Sequence, residues 1–147
     1  MRQDNKIYDD ASRHYKGDWP EGLPHFQAYV HTGIYLGWIV EAKLCGDGFR
    51  KENAEHITEF EAKRISGPEL FQRIGGVFSS DMLNDEGDAF TAEYFDLEQG
   101  TYLKDYGQML ANIQITAYHV PDTEESFRRM SVRIQQRYEL WEKSRGK

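Results

Sequence analysis

Asp10 and His14 stand four residues apart near the start of the chain, with Asp9 beside them. On a helix that spacing places a carboxylate and an imidazole on one face, where they can share a metal ion or exchange a proton. Two ligands do not make a catalytic metal site, which usually takes three protein groups, and no H-E-x-x-H or comparable pattern supplies a third. His31 is the next candidate, on an apolar segment six residues after His25 and therefore on a different helical face from it. Asp9, Asp10, His14 and His31 thus form the candidate set for a metal- or small-ligand-dependent enzyme. The competing reading is structural: Asp10 and His14 order a helix end by a local hydrogen bond, and His31 is a satisfied core histidine. A pocket that collects these side chains, or the convergence of three ligands, would favour the enzyme.

Other constellations carry less. Glu52, His56 and Glu59 share a helical face at spacings of four and three, compatible with a metal, but on a charged outer helix solvation and side-chain pairing are the default. The run "NDEGD" at residues 84–88 lacks the alternating acids and terminal glutamate of a calcium loop, and helix capping accounts for it. "RIGGVFSS" has neither the lysine nor the glycine spacing of a phosphate cradle. Cys45, the single cysteine, has no identifiable partner for a nucleophile's dyad, and there is no G-x-S-x-G elbow.

The charge distribution points to the surface. Across 147 residues the formal net charge is −7, and the stretch from Asp81 to Asp105 holds Asp81, Asp85, Glu86, Asp88, Glu93, Asp96, Glu98 and Asp105 against Lys104 alone. An acidic balance of this kind argues against phosphate-backbone binding and suits a basic protein partner, where charge complementarity raises association rate and specificity. Asp85, Glu86, Asp88, Glu93 and Asp96 are the candidate contact residues; the alternative is a solvated acidic face. A lone cysteine excludes an internal disulfide and a thiolate zinc site, and favours a reducing compartment. The first residues have no apolar signal-like core and "GIYLGWIV" is too short to span a bilayer, so the expected location is the cytoplasm, with no membrane or nucleic-acid partner and no cofactor.

The elements expected to position these groups are helical. A short helix over residues 8–16 ends at "KGDWPEGLP"; Tyr8, Tyr15, Trp19 and Phe26 are expected to staple this region to the next helix, over 24–45, the alternative being a recognition surface. That helix carries Phe26, Tyr29, Val30, Ile34, Trp38 and Val40 or Leu44 at three-and-four spacing, widened by Leu36 and Ile39, and reads as the buried centre. Gly33 and Gly37 on or beside this stripe predict a close approach by another backbone. An outer helix over 51–65 follows, then a short one capped by Ser66 with Pro68 in its first turn. Helices are expected near 80–84, 87–97 and 100–110, and an extended or loop segment over 111–120. The last helix, capped by Asp122 with Glu125, carries Phe127, Met130, Ile134, Tyr138 and Trp141 along one face and Arg128, Arg129, Arg133 and Arg137 on the others. The fold class is mainly α: a single compact helical domain over residues 1–147, with a central buried helix and a long C-terminal helix.

Five blocks in order, "YDDASRHYKGDWPEGLP", "VHTGIYLGWIVEAKL", "SSDMLNDEGDAFTAEYF", "YLKDYGQML" and "YHVPDTEESFRRMSVRIQQRYELW", together resemble a small bacterial family of unknown function, with Arg13 where a tryptophan is expected. The resemblance supplies no catalytic residues. It implies a setting beside polymorphic toxins, where a soluble neighbour protects the producer. The expectation is therefore a binding protein rather than an enzyme: an immunity protein that neutralises a cytoplasm-acting toxin by direct association. The alternatives are the metal- or ligand-dependent enzyme above and a structural or oligomerising module.

Overall fold

The computed structural model describes residues 5–111, 114 and 116–146. It is mainly helical, with eight α-helices and one two-stranded sheet among the described residues. Strand β1 (Ile7–Asp10) leads directly into α1 (Ala11–Tyr15). A 3-10 turn at His25–Tyr29 enters α2 (Val30–Glu41), and α3 (Asp47–Glu52), α4 (Ala54–Glu61) and α5 (Gly67–Arg73) follow. Strand β2 (Val77–Ser79), α6 (Asp85–Tyr94) and α7 (Tyr102–Tyr106) come next, α7 passing into a π-turn at Gly107–Ala111. The long α8 (Glu124–Ser144) closes the chain.

The helix expected over residues 8–16 is shorter than that: residues 8–10 instead form an antiparallel pair with β2, Asp9 opposite Phe78 and Asp10 opposite Val77. The register shifts between Ile7 and Asp9. A regular strand would send Tyr8 and Asp9 to opposite faces; the irregularity lets both be buried, at 8% and 4% exposure. Asp10 then becomes the N-cap of α1, its carboxylate accepting from the Ser12 amide at 3.0 Å and hydroxyl at 2.7 Å.

Every residue of α2 from Val30 to Val40 is buried. This is the expected central helix, but it is covered on all sides rather than along one stripe. It ends before the glycines at 46 and 48: Lys43 takes the left-handed conformation at φ 61, and the Lys43 and Leu44 amides bond back to Val40 and Ile39. Those paired bonds complete the helix end without glycine. The helix expected over 51–65 is broken in two at Asn53, whose side chain donates to the Phe49 carbonyl.

Gly33 supports the expected close approach. A Cβ there would stand 2.3 Å from Pro68 Cα, and one on Gly67 would stand 2.3 Å from the Gly33 carbonyl oxygen, so α2 and α5 cross backbone to backbone. Gly37 instead receives the rings of Phe127 and Phe60. Ser66 and Glu69 form the reciprocal cap of α5, with Pro68 in its first turn as expected. α8 is capped by Thr123, not Asp122: the Thr123 hydroxyl accepts from the Ser126 amide, while Asp122 accepts from the Ser66 hydroxyl. Its Phe127, Met130, Ile134, Tyr138 and Trp141 are all buried. Part of the 111–120 segment, residues 112, 113 and 115, lies outside the described residues; Ala117–His119 form a 3-10 turn.

Gly33→Ala is expected to lower the unfolding free energy by about 3 kcal/mol or more, because the overpacking falls on rigid backbone. Gly48→Ala, in α3 with nothing within 4 Å of the new methyl, is expected to raise it by up to about 1 kcal/mol. Urea midpoints of the two variants, shifted in opposite directions, check both.

Candidate functional site

Asp9 on β1, His14 on α1 and His31 in the first turn of α2 come together in the interior, with one ligand atom from each lying within 4.8 Å of the others. The bulged strand turns Asp9 inward, the turn of α1 brings His14 back over it, and the buried helix presents His31 from the other side. Asp9 Oδ1 lies 2.7 Å from His14 Nε2, and Oδ2 lies 3.4 Å from His31 Nε2 while accepting from the Thr32 hydroxyl at 2.5 Å. The His14 and His31 rings meet edge to face at 4.9 Å. Side-chain exposure is 3% for Asp9, 6% for His31 and 19% for His14, so the cluster is approached from the His14 side. Burial alone would raise the Asp9 carboxyl, but the hydrogen bonds and potential of His14 and His31 outweigh it and hold the group well below the usual carboxylate range.

The surroundings orient these groups. Tyr118 O–H lies 2.9 Å from His14 Nδ1, the ring nitrogen that faces away from Asp9. The Tyr102 hydroxyl donates to the His31 carbonyl at 2.5 Å. Tyr118 packs on Trp19, and Gln27 Nε2 donates to the carbonyls of Tyr118 and Val120 at 2.9 and 2.8 Å. Ligands about 2.1 Å from a tetrahedral ion stand about 3.4 Å apart, the separation of Asp9 Oδ2 from His31 Nε2. His14 Nε2 lies against the other carboxylate oxygen, 2.7 Å from Asp9 Oδ1, so it would have to leave that hydrogen bond to complete a tetrahedral set.

Of the four residues singled out near the N-terminus, then, Asp9, His14 and His31 converge and Asp10 does not. The i to i+4 relation between Asp10 and His14 fails because residue 10 is a strand end and cap rather than part of the helix. His25 stacks on Tyr15 at 4.5 Å, apart from the cluster. Thr32 and Tyr118 were missed. A hydroxyl beside a histidine in an apolar run is a faint signal for Thr32, but nothing local in the sequence links Tyr118 to His14, 104 positions away.

Among the described residues, Glu52, His56 and Glu59 do not form such a cluster. Asn84 caps α6 by accepting from the Gly87 amide at 2.7 Å, as the capping reading of "NDEGD" requires. Burial pushes the Cys45 thiol up to about 11, away from the thiolate a nucleophile needs. One surface depression is lined by Phe60, Ser66, Asp122 and Phe127 and another by Cys45, Arg50, Asp81 and Asp85; neither contains the Asp9 cluster.

The acidic stretch is largely engaged within the fold. Tyr8 donates to Asp88 at 2.6 Å, Tyr138 to Glu86, and Trp141 Nε1 to Glu93 at 2.9 Å. Asp96 accepts from the Glu98 amide at 2.9 Å and pairs with Lys6. Asp85 lies in the first turn of α6 and is exposed. Asp105, counted from sequence among the surface acids, is fully buried: it accepts from Tyr94 at 2.8 Å, Arg133 at 2.9 Å and both Nε and Nη2 of Arg137 at 2.9 and 2.8 Å. Burial would raise its carboxyl, yet Arg137, Tyr94 and Arg133 together hold it below its ordinary value.

The chain belongs to the family described as a domain of unknown function (DUF7832), which matches residues 7–120. No curated protein and no solved structure matches it. The matched span contains Asp9, His14, His31, Thr32 and Tyr118 and stops short of α8.

Replacing Arg133 and Arg137 together by glutamine leaves Asp105 buried with much of its pairing removed, and is expected to cost about 3–5 kcal/mol at pH 7. Because the folded carboxyl lies below its unfolded value of about 3.9, the contribution is present above that pH and fades as pH falls through the folded value. Urea unfolding from pH 7 down to pH 2 should show the gap between wild type and double variant closing only at the acid end.

Proposed function

We propose that this is a metal-dependent protein whose working centre is Asp9, His14 and His31 around one divalent transition-metal ion. The observation that supports this reading is the convergence of three ligand atoms, from three separate elements, within 4.8 Å. Two imidazoles and a carboxylate suit Zn²⁺ and its neighbours in the first transition row, and three protein ligands leave a position for water or substrate. An ion held there supplies Lewis acidity and lowers the pKa of bound water, the basis for reading the centre as that of an enzyme. This replaces the expectation of no cofactor. Protein purified without chelator and dialysed against Zn²⁺ is expected to hold one equivalent, and His14→Ala or His31→Ala to weaken binding by more than about 100-fold, beyond the loss typical of an outer-shell change. Wild-type protein that binds no more Zn²⁺ than the His14→Ala variant would remove the reading.

A second reading, association with a basic partner, is favoured by the absence of any lysine or arginine between residues 81 and 103, where Asp85, Glu93 and Glu98 are exposed. With the resemblance to proteins found beside toxins, this supports an immunity role: neutralising a bacterial toxin that acts in the cytoplasm. Asp85→Lys with Glu98→Lys avoids the acids bonded to Tyr8, Tyr138 and Trp141. The double variant is expected to associate with the neighbouring gene's product several-fold more slowly, with a larger effect at low salt. An unchanged association rate, read by surface plasmon resonance, would move the contact elsewhere.

A further inference from the structure

The arrangement around His14 carries a consequence for how an ion is accepted, resting on the metal reading above. Asp9 is acceptor-only as a carboxylate, and its Oδ1 lies 2.7 Å from His14 Nε2. In the neutral ring the proton therefore sits on Nε2, and Nδ1 is a bare acceptor. Tyr118 O–H, 2.9 Å from Nδ1, is the hydroxyl that can donate to it. Metal ligation through Nε2 requires that nitrogen to give up its proton. The neutral ring then carries its single proton on Nδ1, which becomes a donor. A hydroxyl both donates and accepts, so the same Tyr118 oxygen serves either state without moving.

We propose that Tyr118 is the positioning residue of this centre, donating to His14 Nδ1 before the ion enters and accepting from Nδ1–H once Nε2 is bound to it. The proton balance is neutral: one proton leaves Nε2 to solvent water and one is taken up by Nδ1, with no change in the charge of the ring. Ligating histidines are ordinarily fixed in this way by a partner on the second nitrogen.

The segment around Tyr118 is built to hold it still. Gln27 bonds the carbonyl of Tyr118 itself and that of Val120, two residues further on. Thr116 accepts from the Tyr118 amide at 3.1 Å, and Val120 is fully buried. The Tyr118 ring lies 4.6 Å from Trp19 and 5.5 Å from His14, so Tyr118→Phe keeps the packing and deletes only the oxygen.

The test pairs a variant with a direct reading of the ring. In wild-type protein, ¹⁵N shifts of the neutral His14 ring are expected to show Nε2–H without metal and Nδ1–H after addition of Zn²⁺. Tyr118→Phe, matched to wild type in urea midpoint, is expected to bind Zn²⁺ about 10–100-fold more weakly. A metal-free wild type already carrying Nδ1–H overturns the proposal, whether or not the variant folds. So does a folded Tyr118→Phe that binds Zn²⁺ within about threefold of wild type, well inside the range expected for losing an outer-shell partner; that result leaves the metal reading standing. A wild type that takes up no Zn²⁺ removes the metal reading, and the proposal with it.

Discussion

Helix α2 has no side left for water. From Val30 to Val40 every residue is buried, so each face needs a neighbour. One side is closed by α5, which reaches it only because Gly33 and Gly67 carry no Cβ. Another is filled by aromatic rings from β2, α6 and α7, among them Phe78, Tyr94 and Tyr102 around Tyr35. α8 supplies a third through Phe127 and Tyr138, against Gly37 and Trp38. A helix this enclosed that begins with His31 and Thr32 must also receive a polar counter-group in its first turn, since buried polar atoms without partners are costly. Asp9 is that group, buried beside Tyr8 where the register of β1 is irregular. The residues that tie the N-terminal segment to the core are therefore the same residues proposed above as ligands for an ion.

A buried carboxylate is tolerable only when its oxygens find hydrogen-bond partners, and Asp9 has His14, His31 and Thr32 within reach. The fold has to assemble these partners whatever the centre is used for.

The acidic stretch follows a related logic. Tyr8, Tyr138 and Trp141 bury their rings in the core and place their polar tips on Asp88, Glu86 and Glu93 at its rim. Asp105 binds two arginines of α8 and the hydroxyl of Tyr94. Glu86, Glu93 and Asp105, three of the eight acids between residues 81 and 105, thus dock α8, an element beyond the span shared with the family. Charge changes at Glu86, Glu93 and Asp105 therefore act on the docking of α8.

What the chain determines by itself is what depends on neighbours in sequence. The apolar run that becomes α2, the Ser66–Glu69 cap, the buried face of α8 and the small residue at 33 all follow from local spacing and composition, and so does a mainly helical fold. Asp9, Asp10, His14 and His31 could be picked out as a candidate set from the four-residue spacing of Asp10 and His14 and from an imidazole in an apolar run. The convergence of Asp9, His14 and His31 could not, since it depends on β1 pairing with β2 some seventy residues away and on a bulge with no sequence signature. The exclusion of Asp10, the burial of Asp105 between two arginines of another helix and the reach of Tyr118 to His14 were likewise decided by packing. Periodicity reports which face of an element is apolar; it carries no information about which distant polar group will be brought there to satisfy it.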